Sequence, residues 1–218
     1  MKNLFLSTIL SLSFISTFGQ LSFHGVASAT SPIGLTTTPY SHNFFDVGVL
    51  AGAELGYRFA KRIELRIFYT AGFWDDHGIS GAGSTTTDYQ NYGVKPQFNI
   101  LSSKRKVVFL DLATPFSIVT QKSIWHSSEN FFFPVFGHTS KGEDRAEFFR
   151  FGIAPRLRLA IKRARLNFEL GPTLNFDKLR SAHRTVHIDT DDNYFQNAKT
   201  QYRDISYDFQ VNIGYSFW

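Results

Sequence analysis

Two sets of side chains in this sequence could do chemistry. His126, Ser128 and Glu129 stand close together in a polar, Ser-rich stretch, and these are the residue types of a nucleophile, a base that activates it and a carboxylate that orients the base. A hydrolase or acyltransferase would use them in that way; a polar surface loop, in which such triplets arise easily, is the plainer reading. The second set is charged and evenly placed: Glu54, Arg58, Glu64, Arg66, Arg150, Arg156, Arg158 and Glu169, joined by Lys95, Asp111, Arg165 and Asp208. Each lies in a segment that alternates with apolar residues. Charges of opposite sign held on one face of a sheet can neutralise one another, and that is the chemistry expected of them.

Other groupings point to loops. Asp189, Asp191 and Asn193 supply oxygens at alternate positions, as a calcium loop does, but Tyr194 stands where the sharp turn needs Gly and no Glu closes the loop. His183 and His187, with Asp189 nearby, lack a fixed third ligand. Gly81-Ala82-Gly83-Ser84 is followed by no helix and is read as flexible chain, not a phosphate cradle. No cofactor and no metal is expected.

The elements that must position the charged set are strands. From Phe45 to Phe59 the odd positions Phe45, Val47, Val49, Ala51, Ala53, Leu55, Tyr57 and Phe59 are apolar, against Asp46, Gly48, Glu54 and Arg58. After Ala60-Lys61-Arg62 the alternation resumes with Ile63, Leu65, Ile67, Tyr69, Ala71 and Phe73, so the two strands form a hairpin. Further strands carry Tyr92 to Ile100, Val108 to Ile118, Phe149 to Ile161, Leu166 to Phe176 and Ile205 to Phe217. Short turns at Ser102-Ser103-Lys104-Arg105 and Lys162-Arg163-Ala164 alternate with long loops over 75–87, 120–146 and 177–204.

Seven strands are clear, and a single-chain membrane barrel has an even number with both termini on the side of the short turns. The missing strand must precede Phe45. Leu21, Phe23, Gly25 and Ala27 supply a faint alternation for it, with 30–42 as the first long loop. Residues 1–19 read as a signal peptide, Met1-Lys2-Asn3 followed by an apolar core too short to span a bilayer. Cleavage after Gly19 preserves the first strand; Ala27-Ser28-Ala29 offers a competing site after Ala29. Residues 20–218 are then one barrel domain, all-β, antiparallel, up-and-down, of about eight strands.

Composition agrees. There is no cysteine, hence no disulfide, thiol nucleophile or lipidated cysteine anchor. Aromatic residues make up 17% of the chain, including 24 Phe, yet mean hydropathy is only -0.16. A membrane protein can be that polar when only one side of its sheet is apolar. Alternation alone also suits a soluble lipocalin-like barrel or a sandwich, which differ in the face that points inward. The net charge of +5 is dispersed and carries no nucleic-acid motif.

With its unequal connections and a final strand of Val211, Ile213, Tyr215, Phe217 and Trp218, the chain from Gln20 to Trp218 resembles the small outer-membrane β-barrel proteins of Gram-negative bacteria, similar to the OmpA transmembrane domain and OmpX. The resemblance implies insertion by the barrel assembly machinery, for which that last strand looks like the recognition signal, Trp218 standing one residue beyond the expected final aromatic. It implies no single activity. His126-Ser127-Ser128 is similar to the His-x-Ser arrangement of lipid A deacylase barrels, where Asn follows the Ser; here Glu129 does. The leading expectation is a monomeric, non-enzymatic barrel of the outer membrane, with a closed charged lumen and loops that serve surface interaction, adhesion or membrane integrity. Its expected partners are the surrounding lipid and lipopolysaccharide, which Lys122, Lys141, Arg145, Lys178, Arg180 and Arg184 could meet through phosphates. A lipid A-modifying enzyme and a narrow pore are the alternatives.

Overall fold

The computed structural model describes residues 20–30, 34–35, 48–77, 83–128, 139–188, 201–202 and 204–217. Among the described residues eight antiparallel strands form the main sheet: β1 (Gln20–Thr30), β2 (Gly48–Ala60), β3 (Ile63–His77), β4 (Gly83–Ser102), β5 in two segments (Val108–Ala113 and Phe116–Ser128), β6 (Thr139–Ile161), β7 (Leu166–Ile188) and β8 (Ile205–Ser216). The segments of β5 part at Thr114-Pro115, where Pro has no N–H to give the ladder. Pairing carries across the gap: the Thr114 N–H donates to the Pro96 carbonyl at 2.9 Å, and the Pro115 carbonyl accepts from the Gly152 N–H at 2.8 Å.

Each strand pairs with its neighbours in sequence, and β1 pairs with β8, so the sheet closes on itself. Closure matters because an open edge inside a bilayer would leave N–H and C=O groups with no partner. β1 pairs with β2 over Gln20–Thr30, from Gln20↔Arg58 to Thr30↔Gly48, and with β8 over Ser22–Thr30, from Ser22↔Ser216 to Thr30↔Asp208. A chain cleaved after Ala29 would lack that strand. Residues 1–19 lie outside the described residues. Past the rim, Gly34–Leu35 pairs with Gln201–Tyr202.

The polarity is that of a membrane barrel. Arg66 and Asn212 are fully enclosed at 0% exposure, while their chain neighbours Ile67 and Ile213 are 55% and 54% exposed. Around the belt the exposed side chains are predominantly Leu, Ile, Val, Phe and Tyr while the charged residues of the same strands are enclosed, so the soluble barrel and sandwich alternatives fall away. Water would not tolerate a continuous outer belt of Leu, Ile, Val and Phe; lipid requires one. None of the described helices is long and apolar enough to cross a membrane.

At one end the connections are short. Lys61-Arg62 joins β2 to β3, Ser103 to Val107 joins β4 to β5, and the 3-10 turn Lys162–Ala164 leads through Arg165 into β7. The Ser103 hydroxyl accepts from the N–H groups of Val107 and Val108 at 3.1 and 3.2 Å, which fixes the second turn. At the other end the sequence reading is corrected. β3, β4, β5, β6 and β7 run well into the spans 75–87, 120–146 and 177–204 that the alternation assigns to loops. In these extensions both faces carry polar residues, Thr87, Ser123 and Asp144 inward and Asp88, Lys122 and Arg145 outward, so the two-residue polarity vanishes from the sequence while backbone pairing continues.

Candidate functional site

The lumen is built in layers of inward side chains, and eight strands leave an interior just wide enough for side chains to fill. Between the short turns and Asp208, six cations (Arg58, Arg66, Lys95, Arg150, Arg156, Arg158) face six carboxylates (Glu54, Glu64, Asp111, Glu169, Asp177, Asp208). Within those limits charge is balanced among the described residues.

Arg66 of β3 is the hub. Its Nη1 and Nη2 donate to Glu169 at 2.7 and 2.6 Å, a two-pronged contact that crosses the lumen to β7, a strand not adjacent to β3. The same side chain meets Glu54 of β2 at 3.1 Å and Glu64 of its own strand at 2.9 Å. Lys95 of β4 completes Glu54, and Arg58 completes Glu64 at 2.7 Å. Ser22 donates to Glu64 at 2.8 Å, and its hydroxyl meets His24 Nε2 at 3.1 Å. Glycine makes this crowding possible. A Cβ on Gly56 would press on Ser22 and Glu64, and one on Gly214 would strike the His24 ring.

A second layer sits nearer the turns. Arg158 donates to Asp111 at 2.5 Å, and Gln97 and Asn99 add contacts to the same carboxylate at 2.9 and 2.7 Å. A third lies towards the long hairpins. Arg150 binds Asp177 at 2.6 Å, the Tyr89 hydroxyl at 2.6 Å and Ser206 at 2.9 Å, and approaches Asp208 at 3.4 Å. Asn175 donates to Asp208 at 2.8 Å, and Thr30 donates to the same carboxylate. Above this layer Leu50, Tyr89, Val119, Ala146 and Phe148 pack into an apolar cap. The void between the middle and upper layers, lined by Glu54, Lys95, Asn91 and Asp208, measures about 10 Å³. That is room for roughly one water.

Three members of the charged set sit in ways that simple alternation does not show. Glu169 is held by Arg66 across the lumen rather than by an arginine of an adjacent strand; Arg158 of adjacent β6 stands 3.9 Å away. Arg156 has no carboxylate within salt-bridge distance among the described residues and bonds instead to the Pro172 carbonyl, Thr173 and Gln210 at 2.7, 2.6 and 2.6 Å. Arg165 is not in the lumen: it is exposed, with φ 54° at the end of the 3-10 turn, where the left-handed backbone takes it out of the strand alternation. Asp177 is the group the sequence reading missed. The signal was present, because Thr173 and Asn175 precede it at the same parity.

The other candidate groups stay apart from this network. His126 and Ser128 lie in the outer end of β5, and Glu129 falls outside the described residues. His183 is exposed on β7 and His187 lies further along that strand, while 189–194 falls outside the described residues. Val211, Ile213, Tyr215 and Phe217 all face outward, and the rings of Tyr215 and Phe217 meet edge-on at 5.2 Å. The chain end is tied at the short-turn rim, where the Ser216 and Phe217 N–H groups donate to the Arg165 and Leu21 carbonyls at 3.0 Å. Trp218 falls outside the described residues.

The fold has counterparts among solved structures. A major outer membrane protein from Thermus thermophilus superposes with a TM-score of 0.52 at 9% identity, covering 90% of this chain and 99% of that one. Neisserial surface protein A gives a TM-score of 0.51 at 11% identity, covering 91% and 97%. The chain has the fold of a small outer-membrane β-barrel. Identity this low shows the fold alone. No protein-family model matches the chain, and no curated protein does.

Removing one member of a buried pair strands the other, at a cost of about 3–5 kcal/mol. Glu169→Ala is therefore expected to lower the temperature of the folded-to-unfolded gel shift by far more than Lys61→Ala in an exposed turn. Arg156→Ala should fall between them, since it removes hydrogen bonds to neutral groups but strands no carboxylate. Equal transition temperatures for all three variants would contradict the layered account.

Proposed function

We propose that the chain is a non-enzymatic integral protein of the outer membrane of a Gram-negative bacterium, in which the barrel is a closed anchor and the long hairpins meet the cell's surroundings. The observation that carries this reading is the balance of six luminal cations against six carboxylates beneath an apolar cap. Charges paired across so narrow a space leave no column of water and brace opposite walls. The short turns then face the periplasm and the extended hairpins the outside, as in single-chain barrels of this kind. Surface interaction, adhesion or a contribution to membrane integrity is the role such hairpins serve.

Purified protein in a planar bilayer is expected to give no steady single-channel current. A stable open channel in the unmutated protein would overturn the closed-anchor reading and favour a pore. Lipid A from cells with and without the protein should have the same mass spectrum, whereas loss or gain of an acyl chain would favour a lipid A-modifying enzyme using His126 and Ser128. Orientation is tested separately: cysteines introduced at Lys61, Lys104 or Arg163 should resist an impermeant label in intact cells, and cysteines at Ser84 or Ser140 should react. The reverse pattern would invert the topology.

A further inference from the structure

Outside the apolar belt, one side of the barrel wall is charged on its outer face. Lys122 of β5, Arg145 of β6 and Lys178 and Arg180 of β7 occupy neighbouring strands beyond the belt on the long-hairpin side. Among the described residues, the ends of β1, β2 and β8 on that side carry Ala29, Val49 and Tyr207 and no outward cation. The charged side has a definite place, across β5 to β7.

That place is concave. Asp88, Lys122, Arg145 and His183 stand in one register row across β4 to β7, with Gln90, Thr120, Glu147 and Ser181 in the row beneath. They line a cleft of about 530 Å³, within the range of roughly 300–1,000 Å³ common for small-ligand sites. Glu143 is shared between two cations, bonding Arg145 and lying 3.4 Å from Lys122. Hydrogen bonding to Arg145, with Lys122 alongside, holds its carboxyl below the usual carboxylate value. Glu147 accepts from Arg180 at 2.5 Å, and the Arg180 guanidinium lies 5.3 Å from the Phe149 ring centroid. Lys178, opposite Phe149 in register, has no ion pair among the described residues. With Asp88 included, the four cations outnumber the three carboxylates around them.

The chemistry of this lining is mixed. Lys and Arg recognise phosphate through charge-assisted hydrogen bonds, while Gln90, Thr120, Ser181 and the carboxylates present donors and acceptors suited to sugar hydroxyls. Directly below, on the same strands, Phe116, Phe149 and Phe176 are exposed and apolar, a surface for acyl chains. Phosphate, hydroxyls and acyl chains at these three heights are the parts of a single molecule. We propose that this outer cleft on β4 to β7 holds the phosphorylated sugar headgroup of a glycolipid of the surrounding leaflet. In the orientation proposed above, on which this identification of the leaflet rests, it is the outer one.

The test uses the full mature barrel in phosphatidylcholine nanodiscs doped with bis-phosphorylated lipid A or with its dephosphorylated form, and native mass spectrometry of the lipid retained on release. Preferential retention of the phosphorylated form is expected, weakened roughly tenfold in the double variant Arg145→Gln/Lys178→Gln. A matched double variant in the short turns, Lys61→Gln/Arg163→Gln, removes equal charge at the other rim and should retain the lipid as the unmodified barrel does. Equal retention of both lipid forms would overturn the proposal, as would unchanged retention in the cleft variant or equal loss in the turn variant. Competition by soluble glucosamine phosphate as effective as by the lipid would overturn the lipid as the source. Folding of each variant is checked by its gel shift; should the double variant not fold, Lys178→Gln alone supplies the comparison. Inverted orientation would appear in the labelling pattern and not in lipid retention, so the two readings fail separately.

Discussion

The governing constraint is closure with eight strands. A backbone that crosses lipid must pair all its polar groups within the sheet, and β1 closes the sheet by pairing with β2 over Gln20–Thr30 and with β8 over Ser22–Thr30. Eight strands then set a diameter that side chains must fill. Charges placed there have no bulk water to solvate them, so the chain supplies each with a partner. Arg66 shows the consequence: one guanidinium reaches Glu54, Glu64 and Glu169, drawing β2, β3 and β7 together through the middle of the barrel.

A buried ion pair is not automatically stabilising, since desolvation can exceed the Coulombic gain. What the lumen obtains is definition. Arg66 offers a planar fork that matches the Glu169 carboxylate, and satisfied networks of this kind specify one arrangement of the walls. The apolar cap of Leu50, Val119, Ala146 and Phe148 has the complementary effect at the outer end, closing the network from the medium. The outer surface follows a different logic: it is apolar where lipid lies and charged on one wall just beyond, around Arg145 and Arg180.

The sequence carried the part of this structure that the bilayer dictates. Alternation such as Ile63, Leu65, Ile67 against Glu64 and Arg66 is imposed by lipid on one side and the lumen on the other, so the strands and their inward faces could be read directly. Where that constraint ends, so did legibility. β5 runs to Ser128 and β7 to Ile188 through segments whose polarity has no period, because both faces carry polar residues, Gln121 and Ser123 inward as well as Thr120 and Lys122 outward. Asp177 stands where the expected loop begins, although it continues the inward parity of Thr173 and Asn175 and is bound by Arg150 at 2.6 Å. Arg165 failed differently: a left-handed turn residue belongs to neither face. Which charges meet across the lumen depends on strand stagger, and no local pattern encodes that.

The claim at the centre of this account is that Arg66 and Glu169 form one energetic unit joining opposite walls. A double-mutant cycle with Arg66→Met, Glu169→Gln and the pair, followed by reversible unfolding in detergent or lipid, measures that coupling free of each residue's other contacts. The structure predicts strong non-additivity, a coupling of about 1–3 kcal/mol, with the double variant less destabilised than the sum of the singles. Additive single effects would contradict the account, showing the two walls to be held by the backbone ladder alone.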